Sequence, residues 1–239
     1  MKVSTTRVRA IYRKELREYR RDRSIVATMA VIPLGIVVFP LILVIALPAS
    51  AAESFQGDPL VILLGIPALV PTIVAGYAIV GERVQGTLEP LLTTAIRREE
   101  LVLGKALAAI VPSLAVAYTV YAGFVICTAA FAQPAVVSVV LQWPYVIAQV
   151  LFTPLLITWS TWVGIAISTR ANDARVAQQL GSLAGMPMLL VAYLISFNVI
   201  HMTLSLALGV AAALLTLNGL GWRFVAAAFD HERLITNTR

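Results

Sequence analysis

Cysteine occurs once in the 239 residues, as Cys127, so the chain has neither a disulfide framework nor a cysteine-built metal site. Charged residues are scarce, at 13% against 59% hydrophobic. Soluble domains carry about 25% charged and about 45–50% apolar residues. An ordinary water-soluble enzyme is therefore excluded. Disorder is excluded too, since it needs low hydrophobicity and high charge. Histidine occurs only as His201 and His231. No Ser/His pair or metal cluster is expected, so no catalytic and no metal-binding residue is assigned. A nucleotide site is also missing. Gly81 and Gly86 have P-loop spacing, but Thr87 and Leu88 stand where Lys and Ser/Thr are required. Gly104-Lys105 is followed by Ala106 and has no matching upstream glycine. No Asp, Glu, Lys, Arg or His lies in the apolar centre of any of the six spans proposed below. Such groups mark ion and proton pathways, so their absence argues against an ion-coupled carrier.

What is present is a set of long charge-free runs, at 24–52, 59–81, 106–169 and 176–222. A bilayer core takes about 20 apolar residues of helix. The first two runs hold one span each. The third splits near Gln133-Pro134 and Gln142-Trp143-Pro144, and the fourth near 198–201. Six helices are predicted, at 25–47, 60–80, 103–129, 145–168, 177–197 and 203–222. The expected fold is an all-α polytopic membrane protein. It forms one domain over 1–239, with its membrane region at 25–222. Ala49-Ser50-Ala51 has the shape of a signal-cleavage site, but the apolar run before it is far longer than a signal core, so cleavage is not expected. Polar side chains such as Thr72, Thr153, Thr161 and Ser182 read as helix-packing residues, with a weakly polar pathway for a hydrophobic or amphiphilic substrate as the alternative. Gly181 and Gly185 form a small-residue pair on the fifth span that suits close approach of another helix, with dimerisation as the hypothesis.

Basic residues fix the expected orientation. With six spans, segments 1–24, 81–105, 170–175 and 222–239 hold 9, 4, 2 and 3 Lys/Arg, which accounts for all 18. The opposite side carries only Glu53 and Asp58. Both termini are therefore expected in the cytoplasm, with 223–239 as a cytoplasmic tail. The whole net charge of +6 lies in residues 1–23. Nucleic-acid binding is not needed to explain it, because the run adjoins a transmembrane helix and obeys the positive-inside rule.

Two cytoplasmic stretches carry further information. In residues 5–23, Val8, Ile11, Tyr12, Leu16 and Tyr19 recur at helical spacing with Arg and Lys opposite. That pattern predicts an amphipathic helix in the headgroup layer of the bilayer. Residues 82–105 are too many for a plain turn between spans. Thr87 is a candidate N-cap, Glu89 would sit in the first turn, and Pro90 is tolerated there. Leu88, Leu91 and Leu92 would form one apolar edge. The loop 82–100 thus carries a short helix, 87–95, held under the membrane, either a plain interfacial helix or a docking element for a soluble partner.

These residues resemble a known family. Glu82, Gly86-Thr87-Leu88-Glu89, Leu91-Leu92 and Leu103-x-Lys105, with Gly104 between, are similar to the loop between spans two and three of ABC-2-type ABC transporter permeases. Lys14-Glu15-Leu16 with Arg21-Asp22-Arg23 resembles that family's N-terminal elbow helix. Ser168-Thr169-Arg170 with Ala177-Gln178-Gln179 resembles its loop between spans four and five. Phe229 to Leu234 resembles its C-terminal tail. One departure is Ala95 after Thr94, where many members have proline.

The resemblance implies a non-catalytic permease subunit in the cell membrane and export as its direction; the weakly polar spans suit a hydrophobic or amphiphilic substrate. ATP and Mg would be held by a separate ABC ATPase subunit, and this chain would hold no cofactor. A second permease copy or a related subunit would complete the pathway. Glu82, Gly86, Thr87, Leu88, Glu89, Leu91 and Leu92 would form the coupling helix that meets the ATPase. Two other readings stay open at this stage. One is a membrane scaffold or sensor that docks a cytoplasmic partner without transport. The other is a six-span channel or carrier unrelated to ABC proteins.

Overall fold

The computed structural model describes residues 4–52, 59–84, 86, 97–171, 173–196 and 204–236. Among these the regular structure is helical. Helix α1 is Thr5–Arg21 and α2 is Arg23–Ala46. A single 3-10 turn follows at Ala49–Ala51. Then come α3 (Pro59–Leu63), α4 (Gly65–Val84), α5 (Arg98–Phe131), α6 (Pro134–Val140), α7 (Trp143–Arg170), α8 (Ala174–Ser196) and α9 (Leu204–Thr236).

Five stretches within the described residues are long and apolar enough to cross a bilayer: Arg23–Ala46, Leu60–Glu82, Glu99–Phe131, Trp143–Arg170 and Ser205–Val225. They coincide with five of the six expected spans, and α8 occupies the position of the remaining one. The expected coupling helix at 87–95 lies outside the described residues.

Helix boundaries follow local chemistry. Asp22 ends α1 and starts α2, and its carboxylate accepts the N–H groups of Ser24 at 2.8 Å and Ile25 at 3.4 Å. One short side chain thereby satisfies donors that a helix start leaves open. Pro134 and Pro144 sit in the first turns of α6 and α7, where their missing N–H costs nothing. The split expected in the third apolar run is thus a short helix, α6, between two breaks. The turn at Leu64 separates α3 from α4. Pro67 cannot donate to the Leu63 carbonyl four residues back, and its ring crowds that carbonyl.

Helix α4 is the centre of the bundle. Within its apolar stretch 89% of the residues are buried inside the chain, against 22% for α2. It packs chiefly on α7 and α8, with α2 and α5 also against it, while α9 lies on the far side of α7. The outer helices turn Val31, Leu34, Phe39 and Ile42 of α2 and Leu208, Leu215 and Leu220 of α9 outward. Exposed apolar faces of this extent suit hydrocarbon, not water. With lipid outside, close backbone approach replaces the hydrophobic effect as the source of packing. Gly181 and Gly185 illustrate it. A Cβ on Gly181 would lie 3.1 Å from the Thr72 carbonyl oxygen, and one on Gly185 would lie 2.6 Å from Leu69 Cδ2. The close approach expected at this pair is present, but α4 of the same chain takes the face, which displaces dimerisation as its explanation. The mild polar residues also behave as packing groups. The hydroxyls of Thr72, Thr153 and Thr161 donate to the carbonyls of Ala68, Gln149 and Ile157, each one turn back.

Candidate functional site

At 34 residues α5 is about 51 Å long, whereas the bilayer core is about 30 Å thick. It starts five residues before the expected span. Glu99 and Glu100 stand in its first turn, where the helix dipole favours acids. The surplus length gives α1 a surface to lie on, and α1 packs mainly against α5. Its buried stripe is Ile11, Glu15 and Tyr19, four residues apart. Val8, Tyr12 and Leu16 are half-buried beside it. A Cβ on Gly104 would meet Ile11 Cγ2 at 2.6 Å and Ile11 Cβ at 2.7 Å. The glycine therefore lets the two helices touch. Gly104→Val is expected to push α1 off its seat at a cost of about 1–3 kcal/mol, the usual penalty for overpacking. The melting midpoint of the detergent-purified protein measures this, and an unchanged midpoint would count against the contact.

Next to Gly104, the Lys105 side chain is 1% exposed. An ammonium has three protons. Here it donates to Glu15 Oε1 at 2.8 Å and to the Ala78 carbonyl at 2.6 Å, and it forms an ion pair with Glu82 Oε1 at 3.0 Å. Lys14 closes the network from the rim, with Nζ 2.8 Å from Glu82 Oε1, 3.3 Å from Glu18 Oε1 and 3.6 Å from Glu15 Oε1. Two lysines thus neutralise the two buried carboxylates, Glu15 and Glu82, and join α1, α4 and α5 at one point.

Burial pushes the Glu15 carboxyl up, and the Lys105 cation only partly offsets it. For Lys14 burial acts downward, but the Glu82 hydrogen bond and the carboxylates around it outweigh that and hold the amine above its ordinary range. Burial also raises the Tyr19 hydroxyl, with Glu15, Glu18 and Glu82 adding to the effect.

A second anchor lies at the other end of the loop. The Glu100 side chain is 1% exposed. It accepts the Ser4 N–H at 2.8 Å and the Arg97 N–H at 3.2 Å, and it pairs with Arg7 at 3.4 Å. Ser4 is the N-cap of α1. The segment 83–99 is therefore flanked by two acids, Glu82 and Glu100, that both bind α1. A further clamp comes from α7, where Ser168 Oγ accepts the Ile79 and Val80 N–H groups at 3.0 Å each. The turn of α4 before its last is thus held by side chains from α5 and α7 as well as by its own helix.

The residues singled out in the sequence fall into three groups. Lys14, Glu15 and Glu82 meet in the buried network, and Glu82 faces inward at 4% exposure. Leu16 lines the seat of α1, Asp22 is the hinge cap, and Arg21 and Arg23 are exposed. Gly86 is exposed with φ +67°, a left-handed conformation that favours glycine. Thr87, Leu88, Glu89, Leu91 and Leu92 lie outside the described residues. Sequence reasoning gave Glu100 no role, named Ser168 only within a family pattern, and gave Lys105 no partner. For Glu15 a signal was present, since an acid at the centre of an apolar helical stripe implies a buried cation opposite it.

No curated protein matches the chain. The family profile of the ABC-2 type transporter matches residues 6–207, which takes in α1 from its second residue, both anchoring acids and the helices through α8. A buried elbow-helix network at the feet of the loop between the second and third apolar helices thus occurs in a chain that belongs to the ABC-2 type transporter family.

Proposed function

We propose that the chain is the permease subunit of an ABC exporter for a hydrophobic or amphiphilic substrate, powered by ATP hydrolysis on a separate ATPase subunit. In this reading it has six spans, with both termini in the cytoplasm, and resides in the cell membrane. It pairs with a second copy or a related permease to enclose the pathway. The ATPase docks on 82–100 through Leu88, Leu91, Leu92 and Glu89. Membership of the family supports the partner, and the one-sided distribution of Lys and Arg supports the orientation.

The observation that carries the coupling step is the double anchoring of the loop on α1, through Glu82 with Lys14 and Lys105 and through Glu100 with Ser4 and Arg7. A push on the loop displaces α1, α4 and α5 together, because a buried charge cannot part from its counterion cheaply. Asp22 then passes the displacement from α1 to α2. The permease switches as rigid bodies between two global states that nucleotide and substrate bias. Glu82 serves here as a transmitting group within the permease.

The test is co-expression with a candidate ABC ATPase subunit, followed by reconstitution in lipid. Stable co-purification and ATP hydrolysis that rises on assembly are the expected results. A chain that purifies alone and never changes the hydrolysis rate would falsify the transporter reading.

A further inference from the structure

A groove of roughly 730 Å³ opens between α7, α8 and α9, away from the α1 network. Its trunk is apolar, formed by Trp159, Trp162, Leu180, Leu217 and Leu220 among others. Arg170 stands at its mouth, with the guanidinium carbon 5.5 Å from the centre of the Phe224 ring. Among the described residues the Phe224 ring is the one partner recorded for that guanidinium. The rim acid, Asp173, is turned to the start of α8, where its carboxylate accepts the Arg175 N–H at 2.9 Å. Exposed Arg175 and Arg223 make the surrounding rim basic.

The dimensions identify the kind of occupant. From Arg170 to Trp159 the groove follows α7 for eleven residues, about 16 Å. One leaflet of the hydrocarbon core is about 15 Å deep. The mouth lies at the same end of the bundle as the α1 network, because Ser168, two residues before Arg170, bonds the last turns of α4.

We infer that this groove is a binding site for an anionic phospholipid of the bilayer. The phosphate sits on Arg170 and one acyl chain lies along the tryptophan-lined trunk. A guanidinium suits phosphate better than a zwitterionic headgroup, because charge-assisted N–H···O bonds go uncontested by the headgroup's own cation. The site is separate from the ATPase-docking loop, and its test needs no ATPase. Its outcome therefore stands apart from that of the transport reading.

The full chain carrying Trp143→Phe is reconstituted in phosphatidylcholine bilayers containing a fixed fraction of dibrominated lipid. Trp159, Trp162 and Trp222 remain as reporters. Dibrominated phosphatidylglycerol is expected to quench them more than dibrominated phosphatidylcholine at the same fraction, corresponding to about fivefold preferential binding, the scale of one basic residue at an anionic surface. Arg170→Gln is expected to abolish the preference. Arg170→Lys is expected to retain most of it, and Arg9→Gln on the exposed face of α1 all of it. Equal quenching by the two lipids in the parent protein overturns the assignment, whether or not Arg170→Gln folds. So does a preference that survives in a folded Arg170→Gln variant, or fluorescence that neither lipid quenches because a second copy covers the groove.

Discussion

Lys105→Met is expected to unseat α1, with a loss of roughly 3–5 kcal/mol, the range for removing one partner of a buried ion pair. The size follows from what remains. Glu15 and Glu82 would share Lys14 alone, which is 43% exposed and 3.6 Å from the Glu15 carboxylate. The Ala78 carbonyl would lose its side-chain donor as well. The melting midpoint of the purified protein reports the loss. Adding Glu15→Gln should restore much of it, because Lys14 then balances Glu82 at 2.8 Å. A double variant as unstable as Lys105→Met would assign the defect to lost packing instead of lost charge balance.

Acid should also narrow the gap. Burial already raises the Glu15 carboxyl above its unperturbed 4.5, and removing Lys105 raises it further. A group raised in the folded state binds its proton more tightly there than in the unfolded chain. Its stabilising contribution is complete below 4.5 and fades as pH climbs through the folded value. The difference in midpoint between Lys105→Met and the parent should therefore shrink as pH falls toward that range. A gap that widens on acidification would contradict the network.

Leu91→Asp is the second large effect and acts on a different link. On the proposed docking edge, an aspartate replaces an apolar anchor with a charge that the interface must desolvate. Central interface anchors are worth about 2 kcal/mol or more, roughly a thirtyfold loss of affinity. Co-purification of the ATPase and permease-dependent hydrolysis should both fall, while the melting midpoint of the permease alone stays unchanged. Lys105→Met should show the reverse pattern, with a fragile permease and an intact docking edge. Observing the same defect from both would mean that docking and seating cannot be separated, against the division of labour proposed for the loop and its anchors.

Much of the architecture was legible because membrane helices advertise themselves by length and charge. The stretch 5–23 read as an amphipathic helix and is Thr5–Arg21, since Asp22 supplies the stop and the next start in one residue. Gln133-Pro134 and Gln142-Trp143-Pro144 marked true helix ends, because proline is at home in a first turn. The break at Leu64 was not legible, as proline in a membrane helix foretells a kink only weakly and Pro67 acts one turn upstream of itself. Nor was the pairing within the site. Lys105 and Glu15 are 90 positions apart. Spacing along one helix tells which face a residue occupies but not which helix lies against that face. Gly104-Lys105 could be read only as part of a family pattern. Its physical content, a gap for Ile11 followed by a cation for Glu15, needs the two helices side by side.

That separation also sets an order of assembly. During synthesis α1 emerges long before α5, and at about 5–20 residues per second the 90 intervening positions take roughly 5–20 s. Throughout that interval Glu15 has no Lys105 to meet. Until then the acid of α1 stays hydrated, and the helix locks down only after the third apolar helix has been made. Its docking therefore comes last, once both feet of the proposed ATPase-docking loop exist.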